Sequence, residues 1–207
     1  MRCIHPVPNE RSAAFHHDLA RAFEFASRLH AAQVRKDTDI PYISHLIAVA
    51  SIVIEHGGSR DEAIGALLHD SIEDQADRYD GGAERLGDYI REHFGEEVLQ
   101  IVEGCTDGVA GRKIEWKKRK QAYLEHLAQA SESVRLVSCA DKLHNARAIV
   151  EDLRVMGESL WKRFKGGREG SLWYYRAAAD EFRRGGPQQL AEKLHRTVCE
   201  MEALARS

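Results

Sequence analysis

Ala63-Ile64-Gly65-Ala66-Leu67-Leu68-His69-Asp70-Ser71-Ile72-Glu73-Asp74 is the stretch on which the reading of this chain turns. At about 100° of turn per residue, Ile64, Leu67, Leu68 and Ile72 fill one arc of a helix, and His69, Asp70, Glu73 and Asp74 share the other. A helix that is apolar on one side does not place four titratable groups beside its buried face without something to compensate them. A bound cation would do so. The segment predicts one continuous helix running through His69 and Asp70, with metal chemistry on its polar arc.

Working outward, Ser59-Arg60-Asp61-Glu62 has the form of a capping box, with Ser59 as N-cap and Glu62 reaching back, and so marks where this helix starts. Upstream, residues 44–56 read as a helix stopped by Gly57-Gly58, and residues 13–32 carry Leu19, Ala22, Phe23, Ala26 and Leu29 along one stripe. Downstream, helical spacing predicts helices over 83–93, 96–105, 113–130, 132–153, 171–183 and 187–205, with Pro187 in a first-turn position. Gly81-Gly82, the Gly108 to Gly111 stretch, Gly166-Gly167 and Gly185-Gly186 punctuate them. No alternating run is long enough to predict a sheet. The expected fold is all-α, a single helical bundle over residues 1–207, with its motif core in about 22–150 and the helices of about 171–205 packing on it.

Size and composition exclude several classes. At 207 residues the chain can bury a substantial core without staples. A net charge of -3 argues against general nucleic-acid binding by phosphate neutralisation. Cys3, Cys105, Cys139 and Cys199 lie far apart with no C-x-x-C pair, which predicts reduced thiols rather than a disulfide or zinc framework. The first eight residues, Met1 to Pro8, lack the apolar core of a signal peptide. The longest apolar run, Leu46 to Ile54, falls well short of the roughly 20 residues that span a bilayer. A cytoplasmic protein without membrane partners is expected, its oligomeric state left open.

His45, His69, Asp70 and Asp141 have the right chemistry to hold one divalent cation. Two imidazoles and two carboxylates, with no thiolate, suit an open octahedral site better than a closed tetrahedral one. Manganese is the first choice; affinity alone does not exclude iron, cobalt or zinc. Open positions would take a water and a phosphoryl oxygen, and Glu73 or Asp74 would take or orient a proton of that water. Each fragment alone has a bland reading, a chance His-Asp pair or a solvated acidic helix end. Their combination with Asp141 and Asn145 favours chemistry. His16, His17, His30, His56, His93, His126 and His195 are expected to face solvent or bond locally; His144 falls inside a suggestive segment but could as easily orient a neighbour.

In chain order, Arg35-Lys36-Asp37, Pro41-Tyr42-Ile43-Ser44-His45, Leu67 to Asp74, and Ala140-Asp141-Lys142-Leu143-His144-Asn145 resemble the motifs of HD-domain phosphohydrolases. More narrowly, they are similar to the hydrolase domain of the RelA/SpoT-homologue family and its stand-alone small alarmone hydrolases. That resemblance runs from about Ala22 to Arg147. It implies a manganese-dependent enzyme removing the 3′-pyrophosphate of (p)ppGpp to give GDP or GTP plus pyrophosphate. It also implies that His45, His69, Asp70 and Asp141 are metal ligands, that Glu73 and Asp74 activate water, that Arg35 stacks on the base, and that Lys36 and Asn145 line the nucleotide pocket. The family's synthetase domain needs far more chain, so breakdown alone is expected.

The chain also departs from that pattern. Leu46 replaces a common proline, which predicts a packing change. Gln75 stands where a small hydroxyl residue is common, and Ala148 where relatives often carry threonine near the base. Guanine and adenine alarmones therefore both stay open as substrates. The basic segment 111–120 reads by default as a solvated helix face, with Lys113, Lys117 and Arg119 as candidates for phosphate contact and Lys142 as a further substrate candidate. Trp161, Phe164, Trp173, Tyr174 and Tyr175 are expected mainly in the core. Rival readings are an HD-type phosphatase of another nucleotide, such as NADPH, and a non-catalytic alarmone binder.

Overall fold

The computed structural model describes residues 10–107 and 115–206. Lys113, the Gly108 to Gly111 break, Cys3 and the first eight residues lie outside the described residues. The order is α1 (Glu10–Leu29), α2 (Ile43–Glu55), α3 (Arg60–Leu68), α4 (Ser71–Gln75), α5 (Gly82–Phe94), α6 (Glu96–Cys105), α7 (Trp116–Gln129), α8 (Glu132–Met156), α9 (Gly167–Gly185) and α10 (Gln188–Leu204). Short 3-10 turns cover Ala76–Arg78 and Gly157–Arg163. Among the described residues there is no strand, and the all-α expectation is met.

The capping box starts α3 as the sequence requires: Glu62 N–H donates to the Ser59 hydroxyl, and Ser59 N–H donates to the Glu62 carboxylate at 2.6 Å. From Ala63 to Leu68 every residue of α3 is buried, so this short helix is the centre of the bundle. It touches α1, α2, α6 and α8. Close approach is part of the design, since a Cβ on Gly65 would stand 2.6 Å from Ile101 Cγ2 of α6. Burying Ile64, Leu67 and Leu68 contributes about 1.5–3 kcal/mol per side chain, which fixes the end of α3 at the level of the ligand candidates.

That end differs from the expected continuous helix. α3 stops at Leu68, Asp70 takes φ −95° and ψ 2°, and α4 begins at Ser71. The imidazole of His69 donates through Nδ1 to the Ala66 carbonyl at 2.8 Å, satisfying one of the acceptors a helix leaves bare at its C-terminus. Asp70 sits in the bridge region of backbone space. His69 and Asp70 are thereby not spread 100° apart on one helix; the break aims both inward, and Glu73 and Asp74 belong to a separate short helix.

α8 is the long element of the fold, buried from Val134 to Leu153 along its inner side, with the Ser131 hydroxyl accepting from Val134 N–H at its start. It carries Asp141, His144, Asn145 and Ala148, spaced by three and four residues and so on one face. α2 lies against both α3 and α8, which brings His45 to that face. α9 and α10 pack on α8. Several boundaries move from their expected places: α1 ends at Leu29, α9 starts at Gly167, and Pro187 is the N-cap rather than a first-turn residue. Between α1 and α2 the chain folds into a tight loop, with Arg35 N–H donating to the Ile40 carbonyl and Tyr42 N–H to that of Gln33, at 2.8 and 2.9 Å. Asp37, at φ 57°, turns the loop so that Arg35 and Lys36 stand near α8. No described helix is long and apolar enough to cross a membrane.

Candidate active site

His45 is 0% exposed and His69 2% exposed, and the Nε2 atoms of both have no hydrogen-bond partner. A buried polar atom left bare costs about 1–3 kcal/mol, so native folds rarely leave one without a reason. What faces these nitrogens is carboxylate. His45 Nε2 lies 3.5 Å from Asp70 Oδ2 and 3.2 Å from Asp141 Oδ1; His69 Nε2 lies 3.1 Å and 3.8 Å from the same two atoms. The contacts are close but not aligned as hydrogen bonds: the donor atoms converge on a shared point between them. Ligand atoms of His45, His69 and Asp70 all fall within 4.8 Å of one another; Asp141 is outside that tight group but has Oδ1 close to both imidazoles. This mixed nitrogen and oxygen set fits a divalent cation with open positions.

Each group is held from behind. His45 Nδ1 and His144 Nδ1 are 2.8 Å apart, so one of them carries the proton. Burial, with the neighbouring His45 and Arg35, pushes His144 down to about 4, which makes it a neutral ring able to accept. For His45 to keep a lone pair at Nε2 for a cation, its proton must sit on Nδ1 and His144 must accept it, the arrangement by which an outer partner orients a ligating imidazole. Tyr42 donates its hydroxyl to Asp70 Oδ2 at 2.6 Å. Lys142 Nζ and Asn145 Nδ2 donate to Asp141 Oδ2 and Oδ1, both at 2.5 Å. Burial alone would raise both carboxyls. Attraction to His69 and His45 at Asp70, and to Lys142 and the imidazoles at Asp141, outweighs it and holds both well below the usual carboxylate range.

Glu73 and Asp74 stand beside this group with opposite supports. Glu73 Oε2 accepts from the Asp107 N–H at 3.1 Å, and its Oε1 lies 3.4 Å from Arg119 Nη1. Asp74 Oδ2 accepts from Gln33 Nε2 at 2.7 Å. Burial raises both carboxyls, reinforced by the charge of Asp107 at Glu73 and of Asp70 at Asp74. These raised values bring both closer to the range in which a carboxylate can accept and release a proton near neutrality.

Arg35, Lys36 and Asn145 line a cavity of about 440 Å³ together with Tyr42, Ala148 and Phe164. Arg35 joins it to the ligand group, since its Nη2 donates to Asn145 Oδ1 at 2.8 Å while Asn145 donates to Asp141. The Arg35 guanidinium also lies over the Tyr42 ring at 5.7 Å. Lys36 Nζ donates to the Arg163 carbonyl and sits 5.9 Å over Phe164.

Lys142, a candidate for substrate contact, lies behind the ligand group. Its side chain is 12% exposed, bound to Asp141 and 5.1 Å over the Tyr123 ring, so it supports a carboxylate from inside instead of reaching into the cavity. Arg119 and Lys120 both pair with Asp107, which leaves Arg119 at the edge of the acidic couple. Lys117 lies over Trp173 at 5.7 Å. Trp161, Tyr174 and Tyr175 are buried, while Phe164 and Tyr175 also contribute to the cavity wall.

Sequence reasoning gave no role to Tyr42, Gln33 or Asp107. Tyr42 had a usable signal, because it stands three residues before His45, at the start of α2. His30 is 2% exposed and bonded locally to Gln33, and Cys105 and Cys139 are buried free thiols while Cys199 is an exposed one.

A helical frame that breaks a helix at a His-Asp step, and sets a second imidazole and a second carboxylate against it, defines an HD-type hydrolase. The family model described as HD domain matches residues 22–171, and the chain belongs to the HD-domain family. Among its relatives is guanosine-3′,5′-bis(diphosphate) 3′-pyrophosphohydrolase MESH1 of Xenopus tropicalis, 39% identical over 132 residues that make up 62% of this chain and 68% of the relative. MESH1 of Homo sapiens is 38% identical over the same shares. A solved structure described as a metazoan ortholog of SpoT that hydrolyzes ppGpp superposes with a TM-score of 0.69 at 26% identity, covering 87% of this chain and 93% of that one.

Proposed function

We propose that this chain hydrolyses the 3′-pyrophosphate of (p)ppGpp-type alarmones, releasing a nucleoside 5′-di- or triphosphate and pyrophosphate. The observation that carries the reading is the pair of buried, bare Nε2 atoms of His45 and His69 facing Asp70 and Asp141, with a nucleotide-sized cavity tied to them through Arg35 and Asn145. The named relatives act on ppGpp, and the same substrate class is proposed here. The reaction is placed in the cytoplasm, and residues 1–207 are taken as one HD-type domain.

His45, His69, Asp70 and Asp141 would hold a divalent cation, proposed to be manganese, which when bound stabilises charge developing on phosphoryl oxygen and makes water more acidic. The protein's own groups do the rest. Water oxygen adds to the phosphorus attached at the 3′-oxygen, the bond from phosphorus to that oxygen breaks, and the 3′-oxygen leaves with a proton. Glu73 or Asp74 accepts the proton that the water loses, which suits carboxyls raised above their ordinary values. Arg35 stacks its guanidinium on the purine face, and its bond to Asn145 fixes the distance from base to ligand group. Lys36 borders the cavity, and Arg119, with Lys113 from the neighbouring segment, is proposed to meet the outer phosphates. Ala148 offers the base a methyl group and no hydroxyl, so adenine as well as guanine alarmones belong among the substrates to be tried.

The test is turnover of ppGpp, pppGpp, ppApp and NADPH by purified protein supplied with manganese, with identification of the phosphate species. Pyrophosphate from an alarmone is expected. Orthophosphate from NADPH alone would make the chain a phosphatase, and binding of ppGpp without any product would make it a receptor.

A further inference from the structure

Apart from the ligand group, one polar network leads from two buried side chains outward to an exposed carboxylate of the acidic couple. His30, just beyond α1, is 2% exposed, and Gln75, the last residue of α4, is 4% exposed. His30 Nδ1 lies 2.7 Å from Gln33 Oε1, and Gln75 Nε2 donates to that same oxygen. Gln33 Nε2 then donates to Asp74 Oδ2 at 2.7 Å. An amide oxygen that receives two donors has one orientation open to it, and its nitrogen must face the other way. Here that way is Asp74.

The network is rigid for identifiable reasons. The His30 ring lies parallel to that of Tyr42, with centroids 5.5 Å apart and 15° between planes, and Tyr42 is itself fixed to Asp70. Burial lowers the His30 pKa and favours the neutral ring, which donates from Nδ1. Gln75 reaches Gln33 because its side chain is long; the arm of asparagine, one methylene shorter, would leave the Gln33 oxygen with His30 alone. Glu73, in contrast, rests on Asp107 and Arg119, from a different part of the chain.

We propose that Gln33 is a positioning residue for Asp74: His30 and Gln75 lock its amide, and its nitrogen fixes Oδ2 of Asp74 so that Oδ1 is presented to the water. This rests on the hydrolysis reading above. Gln33 touches no reacting atom and acts through Asp74 alone.

Gln33→Ala should lower kcat by about tenfold or more, the scale of a lost hydrogen bond to a charged group, with KM and bound metal unchanged. Gln75→Leu, which keeps buried volume, should give a smaller loss of the same kind, and it carries the test if Gln33→Ala does not fold. The decisive measurement is a double-mutant cycle. In an Asp74→Asn background, Gln33→Ala should cost nothing further. Equal losses in both backgrounds, a loss confined to KM, or an unchanged kcat would overturn the inference while the wild type still turns over. A wild-type chain with no turnover would instead overturn the hydrolysis reading, and this inference with it.

Discussion

The ligand corner and the nucleotide cavity are neighbours built on opposite terms. In the corner His45, His69 and Asp141 are buried and Asp70 is half-buried, and each is held by at least one further group: His45 by His144, His69 by the Ala66 carbonyl, Asp70 by Tyr42, Asp141 by Lys142 and Asn145. The cavity has α8 as one wall, while its other side comes from the loop before α2 and the end of a 3-10 turn, with Lys36 and Arg163 meeting through a single backbone contact. Burial is what separates them. Ions and imidazoles taken out of water demand partners, so the corner tolerates few substitutions; the cavity wall keeps its water and can drift.

The comparison predicts that damage to the corner is all-or-none. Asp141→Ala should lose bound metal and turnover together, more than about 100-fold in kcat/KM, and strand Lys142 beside Tyr123. Metal analysis with an activity assay checks this, and retention of both would remove Asp141 from the ligands. Chelation should abolish turnover of the wild type, and manganese should restore it. Glu73→Gln is the next step down. It should keep the metal while lowering kcat about 100-fold, the usual scale of lost proton transfer. In the wild type the same carboxyl, raised by burial and by Asp107, must be ionised to act as base. Activity should then fall as pH drops through a value above the ordinary glutamate range, measured as the acid limb of kcat. An unchanged kcat in Glu73→Gln would transfer the role to Asp74.

How much of this was legible follows the same division. His69 and Asp70 stood out in the sequence because the apolar periodicity of Ile64, Leu67, Leu68 and Ile72 sets them beside a buried face, and buried titratable groups ask for a reason; His45 and Asp141 were named for their donor chemistry and by the resemblance of their motifs. The capping box at Ser59 placed α3 for a local cause, two hydrogen bonds within four residues. The break at Asp70 was not legible: local propensity runs on through Ser71 and Ile72, whereas the bonds found at the break, His69 to the Ala66 carbonyl and Tyr42 to Asp70, depend on side-chain directions and on a residue 28 positions away. The direction of Lys142 was not legible either, because adjacency to Asp141 says nothing of where its side chain runs, here over the Tyr123 ring. Gln33 and Asp107 are ordinary loop residues whose partners lie 41 and 34 positions away in the chain.

His144, on α8, holds His45 from behind. His144→Phe keeps a ring of similar size and removes the acceptor for His45 Nδ1. Metal affinity should fall about 10–100-fold, as for other outer partners of ligating histidines. Excess manganese should then restore kcat. A variant that binds metal as tightly as the wild type would show that packing alone orients His45.

The smallest effect is expected in the cavity, at Arg35. Its guanidinium is held by one hydrogen bond to Asn145 and by the Tyr42 face 5.7 Å away, and its proposed stacking on a base is worth about 0.5–2 kcal/mol. Arg35→Ala should therefore raise KM by no more than about 30-fold and leave bound metal untouched, because Asn145 retains its bond to Asp141. Should kcat collapse along with KM, Arg35 would belong to the corner, and the line drawn between a rigid chemical centre and an adaptable recognition wall would run on the wrong side of it. A loss in KM alone, equal for ppGpp and ppApp, fits a contact to the purine face, since a planar cation stacked on a ring does not read the ring's edge.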